Sequence, residues 1–224
     1  MNKAGPRADG IFALPFDLDE SDAVIIPIPW DISSPNDGAA NAPEAILEAS
    51  KSLSLFQEKL EDAWKNGIFM HNIPLKWKES SYKLRKIRNR IERQFRKKLS
   101  EAKRAELITD CKNINLTSKL LNDWVEHISG EYLKSHKLVG LLGGDQAISS
   151  GFITALSRNY DNIGILHLDA YPNLYRSYEG LDYSDFSSMY HALKLNQVKK
   201  LVLAGCREVT YEEKEVIDKN YQII

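Results

Sequence analysis

The chain has 224 residues, a formal net charge of -1, 43% hydrophobic residues and 27% charged residues, as in an ordinary globular protein. Such a length supports one large α/β domain or two small ones, and the balanced charge gives no overall field that attracts nucleic acid or acidic lipid. No apolar run is long enough for a membrane span, and no apolar core of a signal peptide stands at the beginning. Two distant cysteines argue against a disulfide scaffold or a cysteine zinc site and favour a reducing cytoplasm.

The chain begins with features of an α/β protein. The segment AVIIPIP (23–29) predicts a buried strand, and a turn-rich loop follows over 30–43. Asn41 and Glu44 have the spacing of a capping box, which predicts a helix through about Leu55.

Residues 79–135 form a basic helical insertion. Its stretch 83–104 has eleven Lys and Arg against two Glu, and a second helix is predicted over 116–135. One interpretation is a nucleic-acid surface. The interpretation that we favour is a solvated helix docked by an apolar stripe, because acidic segments elsewhere balance the charge and no aromatic residues interleave for base stacking. The stripe consists of Leu84, Ile87, Ile91, Phe95 and Leu99.

Strands and helices alternate in the second half of the chain, which predicts a parallel sheet covered on both faces. The predicted strands are 138–142, 162–168 and 200–205, and 221–224 resembles the start of another. The predicted helices are 147–158, 187–195 and 210–219, the last opened by a capping box of Thr210 and Glu213.

Polar residues follow two of these strands. Asp145 and Gln146 come after the first, and Asp169, Tyr171 and Asn173 after the second. Ligands bind at the carboxyl ends of such strands, whereas Asp and Asn at these places also serve as simple turn formers. Both interpretations stay open for either loop alone.

The two loops together resemble motifs of the ureohydrolase family, which includes arginase, agmatinase and formimidoylglutamase. The segment GGDQ (143–146) is similar to the family's Gly-Gly-Asp-His loop, and DAYPN (169–173) to its Asp-Ala-His-x-Asp loop. Further similar segments, closest to agmatinase-like bacterial members, are IPIPWDISS, APEAILEASKSLSLF, YEGLDYSDFSSMYHAL and LAGCREVTYEEKE. The resemblance implies a three-layer α/β/α sandwich with a parallel sheet. It also implies hydrolysis of guanidino or formimino C–N bonds by a hydroxide that bridges two Mn²⁺ ions.

When the family's metal ligands are matched to this chain position by position, most of them are replaced. Gln146 and Tyr171 stand where the family has histidines, and Asn173 stands where it has an aspartate, so Asp169 alone is intact. Asp185 replaces a histidine of the active-site mouth. Amides and a phenol with a pKa near ~10 are poor ligands for such ions. The family's later Ser-x-Asp-x-Asp pattern is missing, so we expect a single arginase-like domain over 1–224 that is incomplete at its C-terminus.

The sequence therefore predicts a ureohydrolase-family protein whose binuclear metal site is largely lost and which is inactive alone. One alternative is an active agmatinase-like amidine hydrolase with an atypical site, in which Asp145 and Asp185 are catalytic. The other is a nucleic-acid binder through 83–104. The resemblance implies a small amidine or guanidino ligand and either a homo-oligomer or pairing with an active relative, and we expect neither membrane nor nucleic-acid binding.

Overall fold

A computed structural model describes residues 9–33, 37–55, 62–95 and 97–224, with the side chain of Phe95 outside the description. The strands are β1 (Ala23–Ile28), β2 (Ile68–Met70), β3 (Leu138–Gly143), β4 (Ile163–Leu168) and β5 (Val198–Ala204). The helices are α1 (Ala42–Ser50), α2 (Leu75–Phe95), α3 (Glu101–Lys134), α4 (Ser149–Asn159), α5 (Ser188–Ala192) and α6 (Tyr211–Lys219).

All of the paired strands are parallel. β1 lies between β2 and β3, with Val24 opposite Phe69 and Ile26 opposite Leu141. β4 pairs with β5 in a second sheet. The strand predicted at the end of the chain is present as a parallel bridge of Ile223 to Leu201. The α/β architecture is thus confirmed, although hydrogen bonding divides the described strands into two sheets.

Apolar periodicity accounts for the core. Val24, Ile26 and Ile28 of β1 are fully buried, as expected for a central parallel strand whose two faces are both covered. Around them, the ring of Trp77 in α2 packs edge to face on Trp30, with the ring centroids 6.3 Å apart. It also packs at a tilt on Trp124 of α3, with the ring centroids 5.9 Å apart. These aromatic contacts join the loop after β1 to the long helices.

The two long helices differ from their predicted bounds. The first ends before residue 96, and α3 begins at Glu101, well before the predicted 116. Ser100 has the extended backbone of an N-cap, with φ -67° and ψ 159°, and the sequence from 101 to 115 contains no Gly or Pro that would end a helix. The short strand β2 was missed, because three residues carry too little periodicity. Of the predicted apolar stripe, the Phe95 side chain lies outside the described residues.

Helix α1 also departs from its prediction at both ends. The Asn41–Glu44 capping box is wrong: Asn41 has helical backbone and its side chain caps nothing. A 3₁₀ turn over Ala39–Asn41 runs directly into α1, so Asn41 is not a helix terminus. The helix stops at Ser50, whose hydroxyl accepts a hydrogen bond from the Phe12 N–H at 2.9 Å. By contrast, the Thr210–Glu213 capping box of α6 is confirmed.

Several basic side chains of α2 form ion pairs with acidic residues of the same chain. Arg85 pairs with Asp31 and Asp37, Arg88 pairs with Glu179 at 2.5 Å, and Arg90 pairs with Asp110 and Glu106. Arg88 is buried. These guanidinium groups are therefore engaged within the chain, which fits a docked helix better than a continuous phosphate-binding face.

One face of β4 is uncovered. Leu166 is 64% exposed and Leu168 is 73% exposed. Their strand has β5 as a partner on one edge, and among the described residues no strand pairs with its other edge. Likewise, β3 pairs with β1 alone.

Candidate active site at the strand ends

The loop after β3 is held against the loop after β1. A Cβ at Gly144 would lie 1.7 Å from the carbonyl oxygen of Trp30, so glycine is required by this close approach. The Asp145 N–H donates to the same carbonyl at 2.9 Å. The double glycine therefore brings Asp145 into register with the loop after β1.

Asp145 anchors this junction from a buried position. Its Oδ2 accepts hydrogen bonds from the N–H groups of Ile32 and Ser33, both at 2.8 Å, and from the Ser33 hydroxyl at 3.0 Å. Its Oδ1 accepts from the Ala147 N–H and caps the 3₁₀ turn that follows. The carboxylate thus ties the ends of two neighbouring strands together.

Asp185 lies beside Asp145. Its Oδ1 accepts from the Gln146 N–H at 2.6 Å and lies 3.2 Å from the Ser33 hydroxyl, while its own N–H donates to the Ser33 oxygen at 2.9 Å. Burial, followed by the charge of Asp185, raises the pKa of Asp145 to about 7. Burial likewise raises the pKa of Asp185. Ser33 therefore stands between two carboxyl groups that resist simultaneous ionisation.

Gln146 connects this pair to the second loop. Its side-chain amide donates to Asp169 Oδ2. Asn173 Nδ2 donates to the same oxygen at 3.0 Å and to Gln146 Oε1 at 2.8 Å. Burial raises the pKa of Asp169, but the hydrogen bonds from Gln146 and from the Tyr171 and Ala170 N–H groups outweigh it, so the pKa lies below its usual value. Gln146, Asp169 and Asn173 form a closed polar cluster.

A left-handed backbone conformation helps to position the Asn173 side chain in the cluster. Its φ is +57°, in the left-handed region that Asn and Asp tolerate better than most residues. Its carbonyl accepts from the N–H groups of Met189 and Tyr190 at 3.1 and 3.3 Å. The start of α5 is thereby fixed to the loop after β4.

His167 joins the cluster from the strand below. It is buried, and its Nε2 lies 3.0 Å from the Tyr171 carbonyl oxygen and 3.7 Å from Asp169 Oδ2. The same Nε2 lies 3.3 Å from Asn173 Nδ2, so His167 contacts both the backbone of the loop and the amide of the cluster. His167 precedes Asp169 by two residues at the end of β4, which places the two side chains on one face of the strand.

The Tyr171 side chain leaves the cluster. Its ring meets Phe186 edge to face, with centroids 5.8 Å apart, and it is partly exposed. Its backbone N–H still donates to Asp169 Oδ1 at 3.2 Å. The phenol therefore lines the outer side of the site, whereas its main chain supports the carboxylate.

Comparison with known proteins explains the arrangement. A family model described as the arginase family matches residues 21–224. The chain belongs to the arginase family. It is 27% identical to N(1)-aminopropylagmatine ureohydrolase of Thermus thermophilus over 176 residues, 78% of this chain and 48% of that protein. It is 37% identical to mitochondrial arginase 1 of Oryza sativa subsp. indica over 76 residues, 34% of this chain and 22% of that protein.

Solved structures show the same fold. The agmatine ureohydrolase of Thermoplasma volcanium superposes with a TM-score of 0.66 at 21% identity, covering 93% of this chain and 57% of that one. Arginase from Medicago truncatula gives a TM-score of 0.58 at 22% identity, covering 91% and 55%. The chain thus spans less than half of the length of these curated relatives and just over half of these solved chains.

The residues that the sequence resemblance assigns to ligand positions are hydrogen-bonded to one another. The N–H₂ groups of Gln146 and Asn173 both point at Asp169 Oδ2, the oxygen that a cation would need. Reversing either amide would place an amide oxygen against a carboxylate oxygen. Among the described residues, no group of three or more His, Cys, Asp or Glu side chains is arranged to hold a metal.

The structure therefore brings together most of the predicted site residues. Asp145, Gln146, Asp169, Asn173 and Asp185 are linked through direct hydrogen bonds or through Ser33. The Tyr171 side chain stands at the periphery. Sequence reasoning missed Ser33, for which the local sequence carried no signal. His167 was not among the predicted site residues, although its spacing of two from Asp169 indicated a shared face.

Proposed function

We propose that this arginase-family chain keeps the strand-end crevice of its relatives but does not bind two Mn²⁺ ions tightly, and that alone it has little or no amidine hydrolase activity. The observation that carries the proposal is the closed cluster in which Gln146 and Asn173 donate hydrogen bonds to Asp169. Binding a cation there requires those bonds to break, and neutral amides return little charge in exchange.

The ligand class follows from the relatives. Two similar proteins are named as ureohydrolases of aminopropylagmatine and of agmatine. We therefore propose a small linear amidine or guanidino compound as the ligand of the crevice. A homo-oligomer or a pair with an active relative would give such a chain a scaffolding or sensing role.

The proposed compartment is a reducing cytoplasm. Cys111 and Cys206 are free thiols, which suits such an environment. Among the described residues, every helix is too short or too polar to span a bilayer.

Metal content tests the proposal. The chain is purified in the presence of Mn²⁺, desalted and analysed by mass spectrometry, and titrated with Mn²⁺ in a calorimeter. We expect well under one tightly held ion per chain. The variant Gln146→His/Tyr171→His/Asn173→Asp should bind Mn²⁺ more tightly by at least about 100-fold, the upper range for one supporting residue of a metal site.

A control variant carries the same chemical changes away from the site. Asn196→Asp/Gln197→His/Tyr221→His alters charge and imidazole number equally, on residues outside the strand-end cluster. It should leave Mn²⁺ binding unchanged. Two bound ions per wild-type chain would refute the proposal.

A second candidate, an amidine hydrolase with an atypical site, is favoured by one observation. Burial raises the pKa of both Asp145 and Asp185 beside the crevice, and perturbed carboxyl pairs are common at catalytic sites. With added Mn²⁺, urea would be measured from agmatine and arginine, and formamide or ammonia from formiminoglutamate. This candidate requires product release that Asp185→Asn removes and the exposed control Asp161→Asn retains.

A further inference from the structure

A cavity of about 580 Å³ lies between α2, α3 and the loop after β4. We call it the α2–α3 cavity. Its apolar wall contains Ile91, Leu99, Leu107 and Ile108, of which Ile108 is 55% exposed. The size is within the range of small-molecule sites. Nothing in the strand-end site uses this wall.

Cations surround the apolar wall. Lys97, Arg104 and Lys112 line the cavity, and none of them forms an ion pair with another described residue. The single acidic side chain in the lining, Glu179, is neutralised by Arg88 at 2.5 Å. The lining therefore holds three cationic side chains in addition to the Arg88–Glu179 pair.

A buried ion pair lies beside the cavity. Among the described residues, Arg88 Nε and Nη1 have no hydrogen-bond partner, so Glu179 satisfies this guanidinium only in part. Burial raises the pKa of the Cys111 thiol, the charge of Arg88 lowers it, and the charges of Asp110 and Asp182 raise it. Arg88 therefore lies close to the wall that Cys111 forms.

We propose that the α2–α3 cavity binds a free fatty-acid anion, with the acyl chain on the apolar wall and the carboxylate among Lys97, Arg104 and Lys112. A neutral lipid would leave the three cations without a counter-charge. An inorganic anion would leave the apolar wall in water. An amphipathic carboxylate satisfies both, because Arg and Lys bind carboxylates through charge-assisted hydrogen bonds and buried apolar area stabilises the complex.

Binding to the full chain is measured with dodecanoate, kept below its micelle concentration, by displacement of a fluorescent anilinonaphthalene sulfonate and by calorimetry. The variant Arg104→Gln/Lys112→Gln should weaken binding by about tenfold or more, the loss typical of hydrogen bonds to charged groups. The matched control Lys98→Gln/Lys103→Gln removes the same charge from exposed residues outside the lining and should bind as the wild type does.

A second measurement locates the ligand. In a Cys206→Ser background, dodecanoate should slow the labelling of Cys111 by a maleimide. Ile108→Asp, at an already exposed position, should weaken binding and abolish this protection. Circular dichroism confirms that each variant is folded before it is compared.

Several outcomes overturn the proposal. Decanol that binds as tightly as decanoate would show that charge is irrelevant, and phosphate that displaces the fluorophore as well as dodecanoate does would show an ordinary anion site. Binding to anionic phospholipid vesicles without binding of free dodecanoate would indicate a membrane surface. Equal affinity of the two double variants, or no binding at all, also refutes it. None of these outcomes depends on whether the chain binds Mn²⁺.

Discussion

Asp145 should make the stability of the chain depend on pH. Its pKa is raised from 3.8 to about 7 by burial and by Asp185. Between these two pH values, Asp145 therefore holds a proton in the folded state that it has released in the unfolded chain. Stability from this group is complete below pH 3.8 and is lost as the pH rises through about 7. The shift of about 3 pKa units corresponds to about 4 kcal/mol at most, at about 1.4 kcal/mol per unit.

The variant Asp145→Asn tests this dependence. Its amide oxygen can still accept from the Ile32 and Ser33 N–H groups, while its N–H₂ group loses the 3.2 Å bond from Ala147, a cost of about 1 kcal/mol. The variant should be less stable than the wild type near pH 4. Near pH 8 it should be as stable or more so, because no buried charge forms.

The assay is urea unfolding followed by the fluorescence of the four tryptophans, repeated from about pH 4 to pH 8. The wild-type free energy of unfolding minus that of Asp145→Asn should fall with rising pH by up to about 4 kcal/mol. Subtracting the two free energies cancels the contributions of groups that titrate alike in both proteins. One such group is His71, whose pKa is lowered by burial. The exposed control Asp161→Asn should give a difference that does not change with pH. A constant difference for Asp145→Asn would refute the reasoning.

Three further substitutions should change stability. Gly144→Ala places a Cβ 1.7 Å from a backbone carbonyl oxygen and should destabilise by about 3 kcal/mol, whereas Gly164→Ala meets open space and should change little. Arg88→Met leaves the half-buried Glu179 unpaired and should cost about 3 kcal/mol, most of which Arg88→Met/Glu179→Gln should recover. Ser33→Ala removes the hydroxyl that contacts both carboxyl groups and should cost about 2 kcal/mol. All are measured by urea unfolding at fixed pH.

Each of these has a contradicting result. Equal losses for the two glycine variants would mean that the close approach is unimportant. A double variant no more stable than Arg88→Met would show that the unpaired carboxylate is not the cause. Wild-type stability of Ser33→Ala would remove Ser33 from the junction between the strand ends.

The sequence predicted those parts of the molecule that depend on local pattern. Strand ends and the polar residues after them follow from apolar runs, so Asp145 and Asp169 come directly after β3 and β4 or within two residues of them, as predicted. Thr210 and Glu213 formed their capping box because both partners lie within one helical turn.

The parts that depend on distant contacts were not predictable. Asn41 failed as a cap because the preceding turn, not its own spacing, decides where α1 begins. Ser33 entered the site through Asp145, which lies 112 residues away in sequence. The Gln146 and Asn173 amides are oriented by acceptors that the tertiary structure brings close to them. The amino-acid composition does not predict which acceptors these are.

The uncovered leucines of β4 affect how the chain behaves at high concentration. A full Leu side chain loses about 2 kcal/mol by remaining in water. Leu166 and Leu168 lie on the same face of β4, and no strand in the described part of the chain pairs with the second edge of β4. A formal charge of -1 gives molecules little mutual repulsion. These two aliphatic side chains therefore favour self-association, and replacing either with lysine should raise the solubility limit.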